Sequence, residues 1–253
     1  MHMSAATKKT DGRGRLGSVL SGLAVAVGCL LFLGGFAAGA VLYRPYSVPT
    51  GSMAPTLEIG AKVLAQRVDG ADVRRGDVVV FEDALWGGAT MVKRVVGVGG
   101  DTIACCGTDG RLTVNGTPVD EPYLGARSGG PGGIVPDEFS ATVPEDSLFL
   151  LGDDRTTSLD SRSHLDDAAQ GSVPRSAVVA RVDSVVWPLT GGFVERPAGF
   201  AALPGGVSTP GPVALLLTAI GAGAALILGG AAYGPVADRL GGRGKGAREK
   251  VKA

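Results

Sequence analysis

Two long stretches without a charged side chain constrain this chain more than any other feature. No residue between Arg15 and Arg44 carries a charge, and the run from Leu16 to Tyr43 reads LGSVLSGLAVAVGCLLFLGGFAAGAVLY. A second run, VALLLTAIGAGAALILGGAAY, extends from Val213 to Tyr233. About 20 predominantly apolar residues suffice for a helix to cross a bilayer, and both runs meet that length. Their glycines weaken a helix in water but are common in transmembrane helices. A cleaved signal peptide is the alternative for the first run, since Ala38-Gly39-Ala40 resembles an A-x-A cleavage site. The run is longer than the usual signal-peptide core of about 7–15 residues, however, which favours a retained anchor. A buried core helix is the alternative for the second run. Its all-round apolar character, and its approach through Pro204, Gly205, Gly206, Pro210 and Pro212, favour a second span.

The flanks suggest an orientation. Lys8, Lys9, Arg13 and Arg15 precede the first run, and Arg239, Arg243, Lys245, Arg248, Lys250 and Lys252 follow the second. Cytoplasmic flanks of membrane spans are enriched in lysine and arginine. Both ends are therefore expected in the cytoplasm, and everything between the spans outside it. The resulting plan has a basic tail (1–15), a first span (16–43), an extracytoplasmic domain (44–200), a linker (201–212), a second span (213–233) and a second basic tail (234–253). The formal net charge is zero. No basic excess points to nucleic acid, and the basic tails read as topology signals and contacts to anionic lipid.

From Ser47 to about Arg196 the pattern changes to short β-branched runs bounded by turn residues: AKVLAQRV, DVVVF, MVKRVVGV, RLTVNGTPV, SLFLLG and AVVARVDSVVW. Asn115-Gly116 marks a two-residue hairpin. With 42 glycines and weak helical periodicity, the expectation is a mainly β, antiparallel domain flanked by two transmembrane helices. The segment Ala126–Pro136 reads as a flexible loop. Cys29 lies in the first apolar run and reads as a small hydrophobe. Cys105 and Cys106 are adjacent and have no zinc-site spacing; free or weakly interacting thiols are the expectation, with a strained bond between the neighbours as the alternative.

Three polar segments invite chemistry. Ser52 stands in Pro49-Thr50-Gly51-Ser52-Met53-Ala54-Pro55, where two prolines stiffen the loop and Gly51 permits close approach. Serine needs a base to become a nucleophile. Only His2 and His164 are available as histidine bases. His2 lies in the expected cytoplasmic tail, and His164 reads as a solvated loop residue. Lysine can replace histidine if burial lowers its pKa, because at about 10.4 only roughly one lysine in 2,500 is neutral at pH 7. Lys93 sits within the apolar strand Met91-Val92-Lys93-Arg94-Val95-Val96, with Arg94 pointing to the opposite face. The third segment, Leu151 to Arg162, follows an apolar strand and concentrates acids and arginines that can form a charge-assisted network. It lacks the residue order of an EF-hand calcium loop. Taken singly, each segment also fits a bland reading: a Pro/Gly turn, a surface lysine, a solvated turn.

In this order the segments resemble the motifs of bacterial type I signal peptidases (leader peptidases). The serine motif is Pro49 to Leu57. RGDVVVF stands in full at Arg75 to Phe81. The lysine motif is Lys93 to Asp101, and the last is Gly152 to Arg162. Thr50 replaces a common serine, Gly99 a proline, Asp154 an asparagine, and Thr156-Thr157 an Asp-Asn pair. The resemblance implies a largely β catalytic domain with an apolar surface toward the membrane. It also implies cleavage of signal peptides after small residues at −3 and −1, with no metal or organic cofactor. Carried over by position, it implies that Ser52 attacks the scissile carbonyl and Lys93 is the general base. The Ser52 N–H and Thr50 hydroxyl would form the oxyanion hole, and Ser158 would orient Lys93. Asp153, Arg155, Asp160, Arg162 and Arg94 would support the site, and Met53 would line it. Ser52 lies ten residues past Leu42, at most ~33 Å along an extended chain, which suits a substrate still held in the bilayer. Two other readings are a self-cleaving repressor-type Ser–Lys peptidase, which would carry a DNA-binding helical domain, and a catalytically dead membrane-tethered binding domain. Cleavage of a peptide bearing Ala-x-Ala would discriminate among the three.

Overall fold

Runs such as Val78-Val79-Val80-Phe81 are apolar at every position, so a strand built from them must be covered on both faces. The computed structural model, which describes residues 12–107, 110–124 and 138–249, shows that cover. Val78 and Val80 pack with Val48, Met53, Leu57, Val63, Ala65, Ala180 and Val182 on one side. Val79 and Phe81 pack with Val73, Val95, Leu148, Leu150 and Val173 on the other. Alternate side chains of one strand thus feed two separate cores.

The chain divides into two units: Leu42–Gly211, and the flanking segments 1–41 and 212–253. In the first unit the strands in chain order are β1 (Tyr43–Ser47), β2 (Lys62–Gln66), β3 (Val78–Glu82), β4 (Thr90–Val98), β5 (Thr102–Cys105) and β6 (Thr113–Val114). They continue with β7 (Thr117–Pro118), β8 (Phe139–Thr142), β9 (Ser147–Leu151), β10 (Val173–Pro174), β11 (Val178–Trp187) and β12 (Gly192–Phe193). The larger sheet has the order β1-β2-β11-β3-β4-β9-β10, with β12 added to β11. The smaller has the order β7-β6-β5-β8. All pairings are antiparallel. A third core joins the sheets: Ile103, Val114, Phe139 and Ala141 of the smaller meet Val96, Phe149 and Leu151 of the larger.

The antiparallel β architecture matches the sequence reading, and each run named above supplies a strand. Asn115 and Gly116, with φ of 53° and 75°, form the β6–β7 turn. Strands β1, β5, β8, β10 and β12 were not expected, and of these β5 and β8 pair with each other in the smaller sheet. Both are four residues long, and they are stabilised mainly by each other and by the third core. The cysteine expectation is corrected: Cys105 and Cys106 are joined by a disulfide across their own peptide bond. Cys105 ends β5 and Cys106 follows it directly. The loop Ala126–Pro136 and most of the N-terminal tail lie outside the described residues.

The second unit contains α1 (Gly12–Leu42) and α3 (Val213–Glu249); a short helix, α2 (Ala198–Ala201), belongs to the first unit. Within α1 and α3, Gly17–Leu42 and Val213–Tyr233 are long and apolar enough to cross a membrane. The two helices touch through small residues. A Cβ on Gly28 would meet the Gly223 carbonyl at 2.8 Å, and one on Gly223 would meet Phe32 N at 2.6 Å. Ser21 Oγ donates to the Gly230 carbonyl at 2.7 Å. Such close backbone approach is how apolar helices associate where water supplies no driving force.

Candidate active site

The serine loop leaves β1, turns through a short 3-10 segment at Gly51–Met53, and returns to β2. Met53 is fully buried and, with Leu57 and Val48, pins the loop to the core beneath. Ser52, next to this anchor, remains half-exposed. Lys93 comes from β4, where it pairs with Val79 of β3. Its amine donates to Ser52 Oγ at 2.9 Å. The Thr50 hydroxyl lies 3.3 Å from the same oxygen. The three groups line one cleft of about 770 Å³, whose walls include Val48, Met91, Val92 and Leu159.

The electrostatics of the pair follow from burial. Lys93 is only 4% exposed. Desolvation lowers its pKa, and this outweighs the opposing pull of the Asp160 and Asp153 carboxylates; Arg162 lowers it further. Arg94, the next residue in β4, points the other way and is also buried, at 1% exposure. It keeps its charge by grasping Asp153 with two hydrogen bonds of 2.9 and 2.6 Å. It also donates to the Gly76 carbonyl at 2.9 Å and lies 3.9 Å over the Tyr123 ring. One strand therefore delivers a lysine that is pushed toward neutrality and an arginine that is held ionised.

The segment after β9 encloses the pair. Asp160 accepts from the Gly152 N–H at 3.0 Å and from Arg162 Nε at 2.9 Å. Arg162 also donates to the Arg155 carbonyl at 2.8 Å. The Asp154 N–H donates to the Ser52 carbonyl at 3.1 Å. A Cβ on Gly152 would collide with Ser158 and with the Ser52 carbonyl, so only glycine fits there. Asp153 accepts both hydrogen bonds from Arg94. Arg155 binds Glu121 through bonds of 3.0 and 2.5 Å, and Tyr123 donates its hydroxyl to Glu121 as well. Glu121 and Tyr123 escaped the sequence reading. A charge and an aromatic beside Pro122 were the only local sign of them. Ser158 lies against Gly152, but its buried hydroxyl makes no hydrogen bond, so it is not joined to Lys93 in this structure. Among the described residues no cluster of three or more His, Cys, Asp or Glu is arranged to hold a metal ion.

Strand β4 has a further property. Residues Thr90–Glu82 to Arg94–Val78 pair with β3, but β9 joins β4 only from Arg94 onward. Thr90, Met91, Val92 and Lys93 thus have no strand partner among the described residues on the side away from β3. All four line the cleft.

Comparison with known proteins identifies the family. The chain is 32% identical over 192 positions to a signal peptidase I of Mycobacterium tuberculosis (strain CDC 1551 / Oshkosh), a match spanning 57% of this chain and 65% of that protein. It is 34% identical over 128 positions to signal peptidase I U of Bacillus subtilis (strain 168), spanning 49% of this chain and 67% of that protein. A crystal structure of a signal peptidase I from Enterococcus faecalis V583 is 28% identical, with a TM-score of 0.35 over 43% of this chain and 94% of the other. The family described as signal peptidase, peptidase S26, matches residues 20–187, which include the serine loop, β4 and the segment after β9. This chain belongs to that family.

Proposed function

We propose that the protein is a membrane-bound serine endopeptidase that removes signal peptides from exported preproteins through a Ser52–Lys93 dyad. The observation that carries this reading is the 2.9 Å approach of the Lys93 amine to Ser52 Oγ, at a lysine whose pKa burial has lowered. A neutral amine accepts the serine proton as Oγ attacks the scissile carbonyl. The developing oxyanion is met by the Ser52 N–H and the Thr50 hydroxyl. Lys93 then returns the proton to the leaving amine, and water, deprotonated by the same amine, releases the acyl group from Ser52. Asp153, Arg155, Asp160, Arg162 and Arg94 hold the frame without exchanging protons.

The open side of Thr90–Val92 suits an extended substrate, whose backbone can add to the sheet as a strand. Small residues at −3 and −1 suit side chains that must sit close to this wall, because larger ones would clash. Two apolar helices with basic flanks support a topology with both termini in the cytoplasm and the peptidase unit outside. The test is cleavage of a peptide containing Ala-x-Ala by purified protein. Ser52→Ala and Lys93→Ala should each lower kcat by roughly ten-thousand-fold or more, and the double variant should lose little further, because the pair acts as a unit. Substantial residual cleavage by Ser52→Ala would overturn the mechanism.

A further inference from the structure

The chain leaves the peptidase unit at two places, and a single carboxylate holds both. Tyr43 directly follows α1, and its hydroxyl donates to Asp183 Oδ2 at 3.0 Å. At the other end the chain runs Thr209-Pro210-Gly211-Pro212 before α3 begins at Val213. Proline has no N–H, so Gly211 carries the only backbone donor between Thr209 and Val213. That donor goes to the same Asp183 oxygen, at 3.1 Å. The packing is closed around a glycine: a Cβ at position 211 would run into Asp183 Oδ2, the Tyr43 hydroxyl and Gln66 Oε1.

Asp183 is built for this position. Between Val182 and Ser184 the register of β11 against β2 slips, and such a bulge re-aims a side chain out of strict alternation. Asp183 is 1% exposed. Its other oxygen accepts from Arg196 at 2.6 Å. Arg181, beside it, donates to Gln66 Oε1 at 2.9 Å and to the Thr209 carbonyl at 3.1 Å. Charged groups are expensive to bury. None of these residues lines the cleft at Ser52, so the network contributes nothing to the chemistry directly.

We infer that Asp183 is a positioning residue that clamps both chain exits, at Tyr43 and Gly211, to one point of the peptidase unit, and that this ordering favours cleavage of substrates held in a bilayer. The inference rests on the membrane-peptidase reading above. Tying down both exits shortens the free chain that tethers the site, and a shorter tether raises the effective concentration of the site for a membrane-held substrate. A soluble peptide arrives from solvent and gains nothing from the clamp.

The test uses the full chain in phosphatidylglycerol–phosphatidylethanolamine vesicles. Its two substrates are a short soluble Ala-x-Ala peptide and a preprotein whose signal segment is inserted in the same vesicles. Gly211→Ala should lower kcat/KM on the inserted preprotein by roughly tenfold and change it on the soluble peptide by less than about twofold. Tyr43→Phe, which removes one hydrogen bond and no volume from the core, should act in the same direction but less. Equal losses on both substrates, or none on the inserted one, would overturn the inference. A second measurement needs no activity. Hydrogen exchange at the Gly211 amide should quicken severalfold in Tyr43→Phe while the amides of the serine loop stay unchanged, and an unaltered Gly211 amide would count against the clamp. If the unaltered protein cuts neither substrate, the peptidase reading fails, and the exchange result alone decides the clamp.

Discussion

At the residue scale, neighbouring side chains receive opposite electrostatic treatment. Lys93 is desolvated with carboxylates near but not bonded to it, and its pKa falls. Arg94 is buried more completely but bonded in bidentate fashion to Asp153, and it stays charged. Alternation along a strand made the separation of the two legible, because successive residues face opposite ways. The depth of burial was not legible, since it depends on which segments fold over β4. Thr50 permits a test at this scale. Its hydroxyl is 3.3 Å from Ser52 Oγ, and valine has nearly the same shape without the donor. Thr50→Val should lower kcat by roughly 10²–10³-fold with an unchanged melting temperature, and Thr50→Ser should keep most of the activity. A valine variant with full kcat would remove Thr50 from the oxyanion hole.

At the element scale, β4 organises the site. Its apolar residues enter two cores, its Arg94 latches the segment after β9, and its first half leaves one side unpaired beside the cleft. The strand was readable from MVKRVVGV, because β-branched residues between turn signals leave few alternatives. The latch was readable only as a set of charges without assigned partners. Asp153 faces Arg94, whereas Arg155 faces Glu121, 34 residues away in the loop after β7. No local pattern predicts a partner at that separation. Removing Glu121 would strip the buried Arg155 guanidinium of the carboxylate it binds through two hydrogen bonds. Glu121→Ala should therefore cost about 3–5 kcal/mol of stability, read as a lower urea midpoint at unchanged slope. A midpoint like that of the unaltered protein would show that Arg155 finds another partner.

At the scale of the whole molecule, the lowered pKa of Lys93 links activity, stability and pH. Below the ordinary lysine value of about 10.4 the unfolded chain takes up a proton that the folded site resists. Stability is therefore highest above that value, falls as pH drops toward the folded pKa, and is constant below it. The base costs the fold stability at neutral pH. Lys93→Met should be inactive yet melt at a higher temperature than the unaltered protein at pH 7, with the gap closing above about pH 10. A lower melting temperature for the methionine variant across that range would contradict a desolvated lysine. Activity of the unaltered protein should rise with pH through the same lowered pKa, because the neutral amine is the base. Composition and order alone determined the architecture, two apolar helices and valine-rich antiparallel strands, while Ser52 and Lys93 stood out only through the resemblance of four ordered motifs to a known family. The architecture was legible because hydrophobic periodicity and length are local properties that every residue in a run reports together. Tertiary structure alone decided which arginine holds which carboxylate, that the Ser158 hydroxyl stands apart from Lys93, and that Asp183 meets both chain exits. Those outcomes depend on distances between segments far apart in the chain, and such distances exist only once the cores between them have closed.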